Sequence, residues 1–213
     1  MSEPIFEPAF ADAELLERLR QDPALRAAYG AVPPGYTRLT APRFDVNRVW
    51  RLMEGAVDVL AKADAEFRLR FGRGYGLVEA RETAAADLAL VTMATMAGTA
   101  AAALPALRAQ GVRAGLARVR VLRPFPGGAV REALRGARRV LVLDRNLSPG
   151  SGGVLHAEVQ AALAGLPDPP LVLGAVAGLG GRDVRPEGIA QAAAWALAPE
   201  RHAEERLWLG LKR

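Results

Sequence analysis

From residue 76 onward the chain alternates short apolar runs with segments of helical spacing, and this alternation confines it to one broad architecture. Runs of strand length and composition fall at 77–80, 87–93, 112–122, 139–143 and 171–177. Helical patterns lie between them, over about 97–110, 128–136, 153–165 and 186–198, and a last helix is expected over 200–209. Strands joined through helices require crossover connections. The expected fold class is therefore α/β, a mostly parallel sheet with helices on both faces. Hydrophobic residues make up 51% of the chain but aromatics only 6%, so Ala, Leu and Val must carry the packing. Such alanine richness favours helices in close contact.

Residues 1–75 read differently, as a helical N-terminal extension ahead of a domain over 76–213. A short helix is expected over 11–29, with Leu15, Leu16, Leu19 and Leu25 apolar, and Pro33-Pro34-Gly35 breaks it. Past Pro42, Asp45 is suited to N-cap a long helix. Its stripe is Val46, Val49, Trp50, Met53, Val57, Leu60, Phe67 and Phe71, spaced in sums of three and four, and glycines from Gly72 to Gly76 stop it. Such a helix is too long to cover one small sheet, and reads as a strut or as a helix packed on another subunit.

Several chemistries are excluded by composition. The chain has no cysteine, so its own thiolates hold no disulfide, iron–sulfur cluster or thiolate zinc. Its two histidines, His156 and His202, are far apart in sequence, which disfavours a histidine metal site. Met1-Ser2-Glu3-Pro4 opens no secretory leader, and no apolar run reaches the roughly 18–20 residues of a membrane span, so a cytoplasmic protein without membrane contact is expected. The net charge of +5 lies in the second part of the chain. Its basic residues are nearly all arginine, and the aromatics do not interleave with them as a base-stacking surface requires, so no nucleic-acid partner is expected.

Candidate sites are few. In Leu116-Ala117-Arg118-Val119-Arg120-Val121-Leu122 one face carries Arg118 and Arg120, whereas a central strand of such a sheet is apolar on both. The strand is then either half-exposed at an edge or met by something acidic. Seven arginines between 118 and 139 face one acid, Glu132, and form either a solvated surface or a dock for an acidic partner or phosphate. Gly178-Leu179-Gly180-Gly181-Arg182-Asp183 follows a strand and precedes a helix, where open α/β sheets bind ligands. It lacks both the dinucleotide and the P-loop spacing, so a tight turn with Asp183 capping the next helix competes with a phosphate site. Ser148-Pro149-Gly150-Ser151-Gly152-Gly153 reads as a turn without a nucleophile elbow. His156 reads as a surface or interface residue, on a different side of its helix from Glu158.

Five motifs occur in order between about 56 and 190. They are 71–79 (Phe-Gly-Arg-Gly-Tyr-Gly-Leu-Val-Glu), 91–99 ending in Ala97-Gly98-Thr99, 119–126 with Arg123-Pro124-Phe125-Pro126, 142–146 with Asp144-Arg145, and 177–184 around Gly180-Gly181-Arg182-Asp183. Together they resemble the C-terminal part of the alpha subunit of pyruvate:ferredoxin oxidoreductases and their 2-oxoacid relatives. Ser148-Pro149-Gly150 departs from that pattern.

The resemblance implies a transketolase C-terminal-like fold that packs beside thiamine-binding domains. It implies an enzyme that converts a 2-oxoacid and coenzyme A to acyl-CoA and CO2 while reducing ferredoxin. It also implies a structural, non-catalytic role for this chain, with no cofactor of its own. Thiamine diphosphate, Mg2+ and iron–sulfur clusters would sit on partner subunits. Interface roles are expected for Trp50 and Met53 on the arm, for Arg118 and Arg120, for the Arg123-Pro124-Phe125 turn, for Asp144 and Arg145, and for Gly178, Gly180, Gly181, Arg182 and Asp183. The alternative is a free-standing nucleotide- or phosphate-binding protein using the 178–183 loop. A third possibility is the same domain of another thiamine enzyme.

Overall fold

A computed structural model describes residues 46–210, together with Gln21 and Pro23. Most of the expected 11–29 helix, the proline break and the Asp45 cap lie outside the described residues. The chain divides into one unit over Met1–Leu52 and a second over Met53–Arg213.

Helix α1, Val46–Phe71, has the 26 residues its apolar spacing predicts, about 39 Å of helix at the standard rise. It stops at Gly72, which adopts φ 68° where a side chain would be strained. From Val49 to Phe71 every side chain is exposed or half-buried. Its last turns are tied to the loop that follows. Asp64 accepts a hydrogen bond from the Tyr75 N–H at 2.5 Å, and the Phe67 ring centroid lies 4.5 Å from that of Phe71 and 5.7 Å from that of Tyr75.

The rest of the chain builds one six-stranded sheet. Its strands are β1 (Val78–Arg81), β2 (Leu88–Met93), β3 (Ala114–Val119), β4 (Arg139–Asp144), β5 (Leu171–Ala177) and β6 (Arg206–Leu209). Their spatial order is β1-β3-β2-β4-β5-β6, with β1 antiparallel to β3 and all other pairs parallel. The connecting helices are α2 (Met96–Ala109), α3 (Gly127–Leu134), α4 (Val154–Leu163) and α5 (Pro186–Leu197). The expected α/β class is the observed one.

Alternation along the strands sorts the core into two layers. Leu88, Leu90, Leu141, Leu143 and Leu173 meet α2 and α5 on one face. Ala89, Val91, Val140, Val142 and Val172 meet α3 and α4 on the other. Both faces are buried, which is why these strands read as continuous apolar runs. Alanines 100, 103, 192, 193 and 196 let α2 and α5 approach the sheet closely.

Two expectations are corrected. The segment expected as a last helix over 200–209 contains β6 instead, because pairing with the buried β5 overrides local helix propensity. Leu207 and Leu209 then pack on the first core layer, with the period of two that a strand requires. The strand expected over 112–122 is shorter, Ala114–Val119.

Candidate functional site

Chain direction in the parallel strands brings most of the candidate residues to one place, the carboxyl edge of the sheet. Sheet order reverses between β2 and β4, so the loops after these strands diverge there. Thr92 near the end of β2 is buried, and its hydroxyl donates to the Leu143 carbonyl of β4 at 3.0 Å. The chain then turns through Ala94, at φ 52°, into Thr95 and α2. Arg145, just past β4, donates to the Thr95 hydroxyl at 3.3 Å. It also borders Gly178, where an added Cβ would lie 3.0 Å from its Nε. Arg145 thus spans the loops after β2 and β5.

Asp144, the last residue of β4, faces inward and is 3% exposed. Its carboxylate accepts the backbone N–H of Leu155 at 3.1 Å and of His156 at 3.0 Å, and the Asn146 amide at 3.4 Å. Asn146 in turn accepts the Val154 N–H at 3.0 Å. The first turn of α4 is therefore capped by side chains eight to twelve residues earlier in the chain. Gly153 permits this, since a Cβ there would lie 2.0 Å from the Asp144 Oδ2. Burial pushes the Asp144 carboxyl above its ordinary range, against the pull of the two backbone N–H groups.

Glycines 178, 180 and 181 all hold positive φ, and carry the loop after β5 through a single 3-10 turn. Arg182 is held by the Gly210 carbonyl. Asp183 does not cap α5. It pairs with Arg185 at 3.2 Å in an exposed contact, and Pro186 occupies the start of the helix. An open groove of about 570 Å³ lies beside this loop, lined by Gly178, Arg182, Asp183, Arg185, Glu187 and Leu209 among others.

Arg120, just past the end of β3, meets an acid within the chain. Arg120 bonds the Glu79 carboxylate of β1 and lies over the Tyr75 ring, 4.9 Å from its centroid. Arg118 sits in register with Glu79 and is half-buried. Arg81 also binds Glu79, at 2.5 Å, and is the first cause of that carboxyl's lowered pKa. So β3 is not an edge strand, and Glu79 is the acidic group that meets its charged face. In the next turn Arg123 pairs with Glu158 of α4 at 2.8 Å, and Phe125 packs on the second core layer beside Pro124. Trp50 and Met53 lie on α1, 66% and 40% exposed.

His156 corrects the sequence reading, being 1% exposed. Its ring lies against Gly174, and neither nitrogen makes a hydrogen bond of good geometry. Burial first and the Arg206 charge second hold it below the ordinary histidine range, with the backbone of Val172 pulling the other way. The unfolded chain takes up a proton near pH 6.5 where the folded chain does not. Stability from this group is therefore complete above that pH and is lost as pH falls below it. Urea midpoints at about pH 5.5 and about pH 8 are expected to differ more for the wild type than for His156→Leu. Equal pH dependence in the two would remove His156 as the cause. Glu79 and His156 were missed as structural centres because Arg120, which meets Glu79, and Gly174, which packs on His156, lie far from them along the chain. A lone acid in the run 77–80 was the available signal for Glu79.

Among the described residues no group of three or more His, Asp or Glu side chains is placed to hold a metal ion, and no helix is long and apolar enough to cross a membrane. The charged side chains of this edge are bonded largely to one another and to backbone.

Comparison with known proteins agrees with the motifs. Residues 86–189 match the family described as pyruvate:ferredoxin oxidoreductase core domain II. The chain is 37% identical over 170 residues to the pyruvate synthase subunit PorA of Methanothermobacter thermautotrophicus, covering 80% of this chain and 42% of that one. It is 38% identical over 136 residues to PorA of Pyrococcus furiosus, covering 64% and 34%. Against the ketoisovalerate oxidoreductase subunit VorA of Pyrococcus abyssi it is 37% identical over 134 residues, covering 62% and 34%. It therefore spans less than half the length of these relatives. Among solved structures it is similar to a 2-oxoglutarate:ferredoxin oxidoreductase from Magnetococcus marinus, at 20% identity over 61% of this chain and 20% of that one, with a TM-score of 0.44. A split-gene transketolase is similar at 18% identity over 61% and 46%, with a TM-score of 0.47. On the strength of its sequence matches, the chain carries a pyruvate:ferredoxin oxidoreductase core domain II over residues 86–189 and is similar to the PorA subunits of pyruvate synthase.

Proposed function

We propose that this chain is a non-catalytic subunit of a cytoplasmic, multi-subunit, thiamine-dependent 2-oxoacid:ferredoxin oxidoreductase, with pyruvate as the 2-oxoacid. The assembly would convert the 2-oxoacid and coenzyme A to acyl-CoA and CO2 and pass two electrons to ferredoxin. Thiamine diphosphate, Mg2+ and iron–sulfur clusters would be held by partner chains. For the clusters the absence of any cysteine in this sequence supports the reading.

The observation that carries the reading is the state of the carboxyl edge. Asp144 is committed to a helix terminus, Arg120 to Glu79, Arg123 to Glu158 and Arg182 to a carbonyl. Among the described residues these contacts build a charged surface without a paired nucleophile and base. In the proposed assembly, residues 76–213 form the domain and 1–75 the arm. The Arg123-Pro124-Phe125 turn, Arg118, Arg145 and the 178–183 loop would face neighbouring domains. The apolar stripe of α1 would be covered by another chain.

Co-expression with chains that supply the thiamine and cluster domains tests this. The purified complex is expected to reduce ferredoxin only with pyruvate and coenzyme A, and the isolated chain to be inactive. Trp50→Ala combined with Met53→Ala is expected to lower the yield of assembly while leaving the isolated domain's melting unchanged. Pyruvate turnover by the isolated chain would overturn the proposal.

A second reading draws on the groove beside the Gly178–Asp183 turn, that of a free-standing nucleotide or phosphate binder. Thermal shifts with nucleotides, coenzyme A and thiamine diphosphate separate the two. A ligand at about 100 times its Kd would stabilise the isolated chain by about 2.7 kcal/mol under this second reading. No shift is expected under the first.

A further inference from the structure

The pairing of β1 with β3 leaves one guanidinium over. Residues opposite each other on paired strands point to the same face of a sheet. Arg118 therefore shares a face with Glu79, directly opposite it on β1, and with Leu116 two residues earlier, which packs in the first core layer with α2. Three arginines compete for Glu79 there. Arg81 takes its Oε1 at 2.5 Å, and Arg120 takes its Oε2. Arg118 is half-buried, yet makes no hydrogen bond or ion pair among the described residues. Three guanidiniums against one carboxylate leave a local charge of +2.

A cavity of about 80 Å³ opens beside Arg118, with Arg81 and Glu79 on its β1 side and Ala97, Gly98 and Ala101 of α2 on the other. No long side chain of α2 fills it, and an added Cβ at Gly98 would meet nothing within 4 Å. The space is well below the roughly 300 Å³ at which sites for drug-sized ligands begin, but it holds several waters or the tip of one side chain.

We propose that this cavity is a socket for a carboxylate side chain, Asp or Glu, of a neighbouring chain, with the Arg118 guanidinium as its bidentate partner. It rests on the subunit reading in taking this face as an interface, and it names the chemistry that docks there. A cationic side chain would be repelled by the surplus charge. An apolar one would strip water from Arg118 without replacing its hydrogen bonds. A carboxylate fits the guanidinium fork with both oxygens and lowers the surplus. Glu79 holds Arg81 and Arg120, which leaves all the donors of Arg118 for the incoming group.

Two measurements test the socket. In the isolated chain, Arg118→Gln removes a charge that makes no contact in its own fold, so Tm is expected to hold or to rise. A fall of more than about 4 °C would mark Arg118 as a residue of the fold and overturn the proposal. In the co-expressed complex, Arg118→Gln is expected to raise the Kd between this chain and its partners at least about 10-fold, and Arg118→Glu at least about 100-fold. Gly98→Leu, which fills the socket without changing charge, is expected to act like Arg118→Gln. Added NaCl should weaken the wild-type complex more steeply than the Arg118→Gln complex, a difference that lost packing alone would not produce. A complex insensitive to Arg118→Glu would overturn the socket and leave the subunit reading standing, whereas a wild type that never assembles would overturn both. Stabilisation of the isolated wild type by inorganic phosphate, lost in Arg118→Gln, would assign the cavity to a small anion and also overturn the proposal.

Discussion

Replacing Asp144 with alanine is expected to lower the stability of the domain by about 2–4 kcal/mol, a fall in Tm of about 5–15 °C for a domain of this size. The carboxylate accepts the Leu155 and His156 amides in a buried position, so its removal leaves two donors without acceptor or water. Burial of the charge opposes this gain, as its raised pKa indicates, so Asp144→Asn should lose less than Asp144→Ala. Gly153→Ala attacks the same cap from outside, because the new methyl would lie 2.4 Å from the Asp144 Cγ and displace the carboxylate. Alone it is expected to cost an amount similar to Asp144→Ala. In the Asp144→Ala background it should cost far less, since the clash has gone. Chemical denaturation of the four chains in this cycle measures the coupling. Additive losses would show that the cap is not what Gly153 protects.

Gly115→Ala is expected to be as damaging, by about 3 kcal/mol, for a different reason. An added Cβ in β3 would lie 2.4 Å from the Glu82 carbonyl oxygen and 2.9 Å from the Thr83 Cα. These are backbone atoms of the β1–β2 connection, so no rotamer change relieves the contact. Glu82 and Ala85 already sit at φ 52° and 59°, which leaves the connection little freedom to move. Gly98→Ala in α2 provides the control. Nothing lies within 4 Å of its added Cβ, and the helix should gain up to about 1 kcal/mol. Thermal melts of the two variants are expected to shift in opposite directions. A Gly115→Ala chain as stable as the wild type would show that the connection yields.

Much of this molecule was legible before any coordinates. The strand–helix alternation, the two-sided burial of β2 and β4, the 26-residue α1 and its glycine stop all follow from periodicity and local sterics. These act within a few residues, so the order of side chains states them. The edge of the fold was less legible. Arg206-Leu207-Trp208-Leu209 suits helix or strand locally, and the open flank of β5 selects strand.

The fate of the charged and polar candidates was decided by tertiary structure. Arg120 could be solvated or paired as far as its own strand shows, and only the antiparallel addition of β1 brings Glu79 beside it. His156 looked exposed, and packing across Gly174 buried it. Asp183 stood where a cap would stand, yet the capping acid in this fold is Asp144 at another helix. The sequence by itself determined the elements, the fold class and the family, because hydrophobic period and motif order are one-dimensional properties. Which acid meets which base, and which polar group leaves water, was settled only by the packing of strands and helices distant along the chain, because pairing energies depend on distances that the order of residues does not contain.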